Sequence, residues 1–195
     1  MKKKNFLIAG VDEVGKGCLF GPVFAGAVIL NKSNELKLLS KGLRDSKELN
    51  SQQRNNLVPL IKKYSIAWSL GQSSAREIDK FGIRIATEKA MIRALEKFPS
   101  PPELIIVDGI LPLRIWRGKQ KTQIRGENHF PSIAAASVLA KEARDELIIR
   151  LSKKFYSYGL QKNKGYGTKL HRINLIKEGA TYLHRKSFLS KLKHY

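Results

Sequence analysis

Cysteine, histidine and acidic residues are all scarce in this chain of 195 residues. One cysteine, Cys18, and four histidines leave no internal disulfide and no cysteine-based zinc cluster. No apolar run approaches the length needed to cross a bilayer. These absences argue against a disulfide-rich secreted scaffold, a zinc finger and a membrane protein. We therefore expect a cytoplasmic protein that does not associate with membranes.

Positive charge is abundant by contrast, with 37 Lys and Arg against 16 Asp and Glu and a formal net charge of +21. The basic residues are spread along the chain rather than collected in one tail. Such a surface predicts a polyanionic partner, and nucleic acid is the usual one. A compositional bias of the source genome would produce the same excess without any binding function. Charge alone therefore also leaves open a non-catalytic nucleic-acid-binding protein, such as a ribosomal or architectural protein.

Apolar strand patterns alternate with longer helical patterns along the chain. Strands are predicted over residues 6–11 and 23–30, and a short apolar strand ends at Asp108. Helical patterns cover residues 74–98 and 132–155. This alternation predicts an α/β fold.

The parts between these elements are more polar. Residues 31–34 read as a turn, and a polar helix is predicted to begin at Asp45 or Ser46 and to run towards residue 63. We expect residues 1–195 to form a single catalytic domain, in which about residues 157–195 are a basic C-terminal extension that binds substrate.

Acidic side chains stand where apolar strands end. Asp12 and Glu13 follow the first strand, Asp108 ends another, and Glu127 follows a short strand-like piece. Sites in α/β sheets assemble at the carboxyl ends of strands. Because crowded carboxylates repel one another unless a cation lies between them, a metal site is predicted here. The alternative for any one of these acids is that it merely caps a turn.

The types of ligand atom limit which metal ions the predicted site would bind. Oxygen ligands without His or Cys favour Mg²⁺ or Mn²⁺, and carboxylate-held pairs of such ions drive in-line phosphodiester hydrolysis. Asp12 and Glu13 are neighbours, and neighbours on a regular strand project to opposite faces. We therefore expect the glycine-rich loop after Glu13 to bend the chain if both acids serve one site.

Six blocks of the sequence resemble those of bacterial ribonuclease HII, a type 2 ribonuclease H, in order and spacing over nearly the whole chain. The blocks are GVDEVGKGCLFGPVFAGAVIL, LRDSK, IIVDG, SIAAASVLAKEARD, KGYGTKLH and GATYLHRKSF. The resemblance implies a ribonuclease H-like fold, with a central mixed β-sheet flanked by helices and a helical C-terminal extension. It also implies a monomer that uses Mg²⁺ or Mn²⁺.

The resemblance further implies an endoribonuclease with two related substrates. It would hydrolyse the RNA strand of RNA–DNA hybrids and incise 5′ of single ribonucleotides in duplex DNA, in ribonucleotide removal during DNA replication and repair. Catalysis by two metal ions would leave 3′-hydroxyl and 5′-phosphate ends. Another two-metal nuclease of the same fold, such as a junction resolvase, is an alternative. It would not need a loop that reads a 2′-hydroxyl.

By resemblance, Asp12, Glu13 and Asp108 match the metal-binding acids of the family. Glu127 stands where the family usually has Asp, and its longer arm would shift the second metal or change the preference between Mg²⁺ and Mn²⁺. Glu at this position also occurs in ribonuclease HIII, a sister type with an additional N-terminal domain. We expect no room for that domain in this chain, and the tail motif HRKSF favours ribonuclease HII.

Substrate contacts are also implied by resemblance. Gly15, Lys16 and Gly17 match a Gly-Arg-Gly motif, in which glycines let the backbone approach a ribose and the 2′-hydroxyl distinguishes RNA from DNA. Lys16 keeps the charge of the usual Arg but loses its planar fork. Tyr166 matches a tyrosine that packs on the nucleotide after the ribonucleotide.

Three further cations are candidate phosphate contacts: Lys47, Lys164 and Arg185. Without the resemblance, each would more often be just a solvated cation. His171 and His184 lie in family motifs, but a core or capping role is the commoner one for such histidines.

Overall fold

The computed structural model describes residues 6–190, with a five-stranded sheet in the order β3-β2-β1-β4-β5 at its centre. The strands are β1 (Ile8–Val14), β2 (Val23–Ile29), β3 (Ala67–Ser73), β4 (Leu104–Asp108) and β5 (Gln120–Gln123). The pairs β1–β2 and β2–β3 are antiparallel, whereas β1–β4 and β4–β5 are parallel. The predicted central mixed sheet is therefore confirmed.

Helices cover both faces of this sheet. They are α1 (Lys32–Ser40), α2 (Ser51–Tyr64), α3 (Ala75–Leu95), α4 (Pro131–Ser152), α5 (Leu160–Asn163), α6 (Lys169–Glu178) and α7 (Lys186–Leu189). On one face, Ala9 and Val11 of β1 share a buried cluster with residues of α3. On the other face, α4 packs against β1 and β2. The arrangement confirms the predicted ribonuclease H-like α/β architecture.

Helix α4 packs closely on the sheet because two sheet residues beneath it are glycines. A Cβ added to Gly10 would lie 2.4 Å from the Ile133 nitrogen, and one added to Gly26 would lie 2.3 Å from the Ala136 oxygen. Both distances are too short for any side chain. Because Gly10 and Asp12 project to the same face of β1, the helix that lies on Gly10 also covers Asp12.

Three boundaries differ from the sequence-based expectation. β1 continues through Asp12 and Glu13, because β2 pairs with it as far as Val14. Residues 31–34 are not an isolated turn: the Asn31 side chain accepts a hydrogen bond from the Asn34 nitrogen and begins α1. The next helix, α2, begins later than predicted, at a capping box made by Asn50 and Gln53.

The polypeptide after α4 forms the predicted helical extension. A 3₁₀ turn (Tyr156–Tyr158) leads into α5, α6 and α7, and the extension packs through a buried cluster that includes Phe20, Ile148 and Leu160. Residues 191–195, at the end of the expected extension, lie outside the described residues. Among residues 6–190, no helix combines the length and apolar character that a membrane crossing needs.

Candidate active site

Asp12 and Asp108 lie side by side because their strands are parallel neighbours. β1 and β4 pair in register, with Val11 opposite Val107. The two acids each follow one residue later, so they point to the same face of the sheet at its carboxyl edge. Neighbouring strands are about 5 Å apart. The register therefore brings these two carboxylates together, as the strand-end pattern leads us to expect.

Glu13 reaches the site from the opposite face of the sheet. β1 stays regular through Val14, so Glu13 projects towards α3 whereas Asp12 projects towards α4. The glycine-rich loop does turn the chain, but only from Gly15 onwards, so the turn does not bring Glu13 to the face of Asp12. Glu13 still lines the same cleft as Asp108 and Glu127, a space of about 470 Å³ at the end of the sheet. These three acids share the cleft because it opens at the end of the sheet.

Glu127 is held beside Asp108 by a tight turn. It lies in a 3₁₀ turn (Gly126–Asn128) that follows Arg125, whose φ of 52° is left-handed. The Gly126 N–H donates to Asp108 Oδ1 at 2.8 Å. Burial, and then the neighbouring Asp108, raise the pKa of Glu127. Its Oε2 is buried and has no hydrogen-bond partner within residues 6–190.

Asp12 is a buried carboxylate in the same repulsive environment. Burial raises its pKa well above the ordinary value, Glu13 raises it further, and a hydrogen bond from Ser137 opposes the shift. Asp12 Oδ1 accepts from the Glu13 N–H at 2.7 Å. Ser137 Oγ in turn lies 2.8 Å from Ser46 Oγ. A hydroxyl pair thus connects Asp12 to the segment that carries Lys47.

The donors of this site fit a divalent cation. All four predicted ligands are carboxylates, which hard cations prefer. A cation would also give Glu127 Oε2 a partner and relieve the repulsion at Asp12. In the described part of the chain, no three His, Cys, Asp or Glu side chains converge closely enough to hold an ion as they stand.

Two lysines bring positive charge to the acidic cleft. Lys16 Nζ lies 2.8 Å from Glu13 Oε1. Lys47 Nζ lies 4.0 Å from Asp45 Oδ2. Burial opposes the charge of Lys47, but Asp45, Asp12, Glu127 and Asp108 together raise its pKa. The structure therefore places Lys16 and Lys47, two of the three predicted phosphate-binding lysines, at the cleft.

The glycine loop, Gly15-Lys16-Gly17, contains two glycines with different duties. Gly15 has φ +87°, and an added Cβ would lie 2.2 Å from Arg144 Nε. It is required by the turn and by the arginine packed against it. Gly17 has an ordinary φ, and an added Cβ would meet no atom of residues 6–190 within 4 Å. Its open side is available for a ligand.

The tyrosine loop (residues 164–167) is joined to the segment after the glycine loop through one carbonyl. The Gly165 oxygen accepts from the Leu19 nitrogen at 2.9 Å and from the Phe20 nitrogen at 3.3 Å. Tyr166 is 40% exposed, and Lys141 Nζ lies 5.8 Å from its ring centroid. The structure therefore brings a free aromatic ring and a further cation beside the glycine loop.

Arg185 is not where a phosphate contact requires it to be. The residue is fully buried. Its Nε donates to the Gly21 oxygen at 2.9 Å and its Nη1 donates to the Lys16 oxygen at 2.8 Å. This corrects the prediction from the sequence: Arg185 holds the backbone of the glycine loop. Lys164 is partly exposed and its Nζ donates to the Gln161 oxygen, so its phosphate contact stays a prediction.

Arg144 is a functional residue that the sequence analysis missed. It is fully buried, and it donates to three backbone oxygens, those of Pro22 at 3.1 Å, Phe20 at 3.1 Å and Lys164 at 2.8 Å. The guanidinium thus binds both loops at once. One signal was present: Arg144 follows Ser137 by two helical turns and shares its buried face of α4.

Comparisons with known proteins identify the relatives of this chain. A family model described as ribonuclease HII matches residues 9–191. The ribonuclease HII of Prochlorococcus marinus (strain NATL1A) is 75% identical over 193 residues, which cover 99% of this chain and 99% of that protein. The ribonuclease HII of Synechococcus sp. (strain WH7803) is 58% identical over 186 residues, covering 95% of this chain and 96% of that protein.

Solved structures share the fold at lower identity. The ribonuclease H2 of Pyrococcus horikoshii OT3 superposes with a TM-score of 0.78 at 21% identity, over 97% of this chain and 100% of that one. Bst-RNase HIII in complex with Mn²⁺ gives a TM-score of 0.71 at 20% identity, over 100% of this chain and 72% of that one. The family match decides between the alternatives that the charge and the acids left open. The chain belongs to the ribonuclease HII family, and it is an endonuclease that acts on RNA–DNA hybrids rather than a non-catalytic binding protein.

Proposed function

We propose that this endonuclease also incises duplex DNA on the 5′ side of single embedded ribonucleotides, leaving 3′-hydroxyl and 5′-phosphate ends. One observation carries the proposal: the Gly165 oxygen joins the tyrosine loop to Leu19 and Phe20, directly after the glycine loop. A group that reads a 2′-hydroxyl and a ring that packs on the next nucleotide are thereby held in one unit beside the acids. Such a unit suits a substrate with a single RNA-to-DNA step.

In this proposal Asp12, Glu13, Asp108 and Glu127 hold two Mg²⁺ or Mn²⁺ ions. Such ions, when bound, activate water and stabilise the leaving oxygen of the phosphodiester. Two features support the assignment, namely the orphaned Glu127 Oε2 and the raised pKa of buried Asp12. Bst-RNase HIII, which shares the fold, was solved with Mn²⁺.

The cationic residues of the cleft approach the phosphates. Lys16 and Lys47 lie among carboxylates that would otherwise repel the substrate backbone, and their ammonium groups offset this repulsion. The open side of Gly17 admits the ribose, so that backbone groups contact its 2′-hydroxyl. The exposed ring of Tyr166 packs on the following nucleotide.

Cleavage-site mapping on DNA–RNA–DNA duplexes with one ribonucleotide, in Mg²⁺ and in Mn²⁺, tests the reaction. We expect one product end, 5′ of the ribonucleotide, and no cutting when that ribose is replaced by deoxyribose or its 2′-O-methyl form. Cutting of the all-DNA duplex at the same position would contradict the assignment of the glycine loop.

A second arm tests the tyrosine loop. Tyr166→Ala is expected to lower cutting of the single-ribonucleotide duplex by about tenfold more than cutting of a long hybrid, because stacking contributes roughly 1–3 kcal/mol. Tyr156→Ala, at a ring that is 83% exposed, is the matched control and should change neither rate. Equal loss on both substrates with Tyr166→Ala would show that the tyrosine is structural.

This activity suits ribonucleotide removal during DNA replication and repair. We place it in the cytoplasm, where a bacterial chromosome and its hybrids lie. The monomeric state stays a prediction, which light scattering on the purified chain tests directly.

A further inference from the structure

Two buried histidines form a pair beneath the tyrosine loop. His171 lies in α6 and His184 lies in the turn before α7, and they are 0% and 1% exposed. Their Nε2 atoms are 3.1 Å apart, which is a hydrogen-bond distance. The pair has no part in the chemistry of the acidic cleft.

The other ring nitrogens of the pair have partners with fixed roles. His171 Nδ1 lies 2.9 Å from the Tyr166 oxygen, and a carbonyl oxygen can only accept. The Thr181 N–H donates to His184 Nδ1 at 3.0 Å, and a backbone N–H can only donate. His171 Nδ1 must therefore carry a proton, whereas His184 Nδ1 must not.

The protonation of these two Nδ1 atoms determines which ring carries the proton in the hydrogen bond between the two Nε2 atoms. A neutral imidazole carries one N–H, so His171 Nε2 is an acceptor and His184 Nε2–H donates to it. The hydrogen bonds then run in one direction, from the Thr181 N–H through His184 and His171 to the Tyr166 carbonyl. Burial lowers the pKa of both rings, that of His184 to about 4, so both are neutral at pH 7.

We propose that His171 and His184 are positioning residues. With their tautomers fixed in this way, they form a chain of hydrogen bonds that holds the backbone of Tyr166 for the substrate. The contact is made to the Tyr166 carbonyl, which also accepts from the Thr168 N–H at 2.9 Å, so it does not involve the exposed Tyr166 ring. The functional consequence rests on the proposed role of Tyr166 at the RNA-to-DNA step. The positioning itself does not.

The surroundings fix the rings from the other sides. The edge of Tyr158 contacts both imidazoles, with ring centroids 5.9 Å from His171 and 4.8 Å from His184, and its hydroxyl donates to the Gly179 oxygen at 2.8 Å. Phe20 packs against His184 at 5.0 Å and forms an isolated β-bridge with it. Since the Phe20 N–H also donates to the Gly165 oxygen, the pair is coupled to two adjacent residues of the tyrosine loop, Gly165 and Tyr166.

Two substitutions at one position separate positioning from packing. Asparagine places its amide near the site of Nδ1, so His171→Asn keeps a donor for the Tyr166 oxygen. Glutamine places its amide near Nε2, so His171→Gln keeps the contact with His184 and loses the bond to Tyr166. A pure packing role would make the smaller asparagine at least as harmful as glutamine. The proposal predicts that glutamine is the more harmful.

The direct test is nuclear magnetic resonance of the full chain at pH 7. Imidazole ¹⁵N shifts should show the Nδ1–H tautomer for His171 and the Nε2–H tautomer for His184, with exposed His129 as a reference for an unconstrained ring. Loss of the bond to the Tyr166 carbonyl should let the loop open more often, so the Tyr166 amide, which donates to the Asn163 oxygen, should exchange about fivefold faster in His171→Gln than in His171→Asn. An Nε2–H tautomer at His171, or equal exchange in the two variants, would overturn the proposal.

A kinetic arm tests the functional consequence. The ratio of single-ribonucleotide to long-hybrid cleavage should fall about fivefold in His171→Gln and less than twofold in His171→Asn. Tyr166→Ala is the reference. If Tyr166→Ala itself leaves the ratio unchanged, the proposed role of Tyr166 fails, and the resonance data alone decide whether the histidines position it. If it changes the ratio while His171→Gln does not, the positioning proposal fails.

Discussion

The acidic cleft and the two loops beside it satisfy their polar groups in opposite ways. In the cleft, Asp12 is buried among other acids, and Glu127 Oε2 has no partner in the described part of the chain. In the loops, buried guanidinium groups meet the backbone oxygens of Lys16, Phe20 and Lys164. The cleft thus leaves a buried carboxylate oxygen unpartnered within residues 6–190, whereas the loop backbones are held by buried side chains, although Arg185 Nη2 also lacks a partner there.

This difference matches two requirements of the proposed reaction. Binding an ion from water demands ligands that gain from its charge, and repelling carboxylates do so. Recognising one ribose demands a backbone that does not lose entropy on binding, and a backbone held by buried side chains meets that need. Substitutions in the cleft should therefore affect chemistry and spare the fold, while substitutions beneath the loops should lower stability and, through the loops, change substrate selectivity.

The largest effect is expected from removing a ligand. Asp12→Asn and Asp108→Asn should each lower cleavage by roughly a thousandfold or more, because amides bind hard cations poorly. Stability without metal should hold or rise by about 1 kcal/mol as repulsion is relieved. Cleavage rates and metal-free thermal melts measure both effects. Exposed Glu146→Gln is the control, and wild-type-like cutting by either variant would remove the ligand assignment.

Arg144→Met is expected to have a large effect on stability. Three backbone oxygens would lose their donor in a buried place, which should lower the free energy of unfolding by about 3 kcal/mol or more. Arg150→Met, on an exposed face of the same helix, should stay within about 0.5 kcal/mol. Urea unfolding compares them. A small change at Arg144 would mean that the loops hold themselves without the guanidinium.

Acid should weaken the histidine pair in a defined range. The pKa of His184 is about 4 in the folded chain and about 6.5 when unfolded, so the unfolded state binds more protons between these values. Stability is therefore complete above pH 6.5 and falls as the pH drops towards 4, by up to about 3 kcal/mol. Denaturant unfolding at several pH values should show this slope, and His184→Gln should flatten it. An unchanged slope in that variant would assign the acid sensitivity to other groups.

The smallest effect on stability separates the two glycines of the glycine loop. Gly15→Ala should cost about 1–3 kcal/mol, because φ is +87° and Arg144 occupies the space. Gly17→Ala should leave stability within about 0.5 kcal/mol. It should still depress cutting at a lone ribonucleotide, because its methyl group obstructs the ribose. Parallel melts and cleavage assays decide, and full activity of Gly17→Ala would place ribose reading elsewhere.

The sequence predicted the sheet, its flanking helices and the placement of acids at strand ends, because periodicity and strand-end chemistry are local. It failed at α1, where Asn31 resembled a turn residue. The same side chain caps helices and makes turns, so the two are hard to distinguish without the following residues. It also ended β1 too early, since a strand's length depends on its partner β2.

Burial of charge could not be predicted from the sequence. Arg is mostly exposed in proteins, so Arg185 was interpreted as a phosphate contact and Arg144 was passed over. Both are fully buried because backbone oxygens distant in sequence surround them: Arg144 donates to Phe20, and Arg185 to Gly21. Contacts of this separation leave no periodic trace. They become visible only when the two loops are placed side by side.

Because Gly10 has no side chain, α4 lies close against β1, and this one helix positions residues in both the cleft and the loops. The helix lies on β1 at Ile133, where a Cβ on Gly10 would come within 2.4 Å of its nitrogen. From that contact the helix extends past Ser137 at the cleft to Arg144 at the loops. With a rise of about 1.5 Å per residue, Arg144 lies roughly 16 Å along the helix from Ile133. A single methyl group at position 10 would therefore push the whole of α4 away from the sheet. It would misalign chemistry and recognition together, although it touches neither.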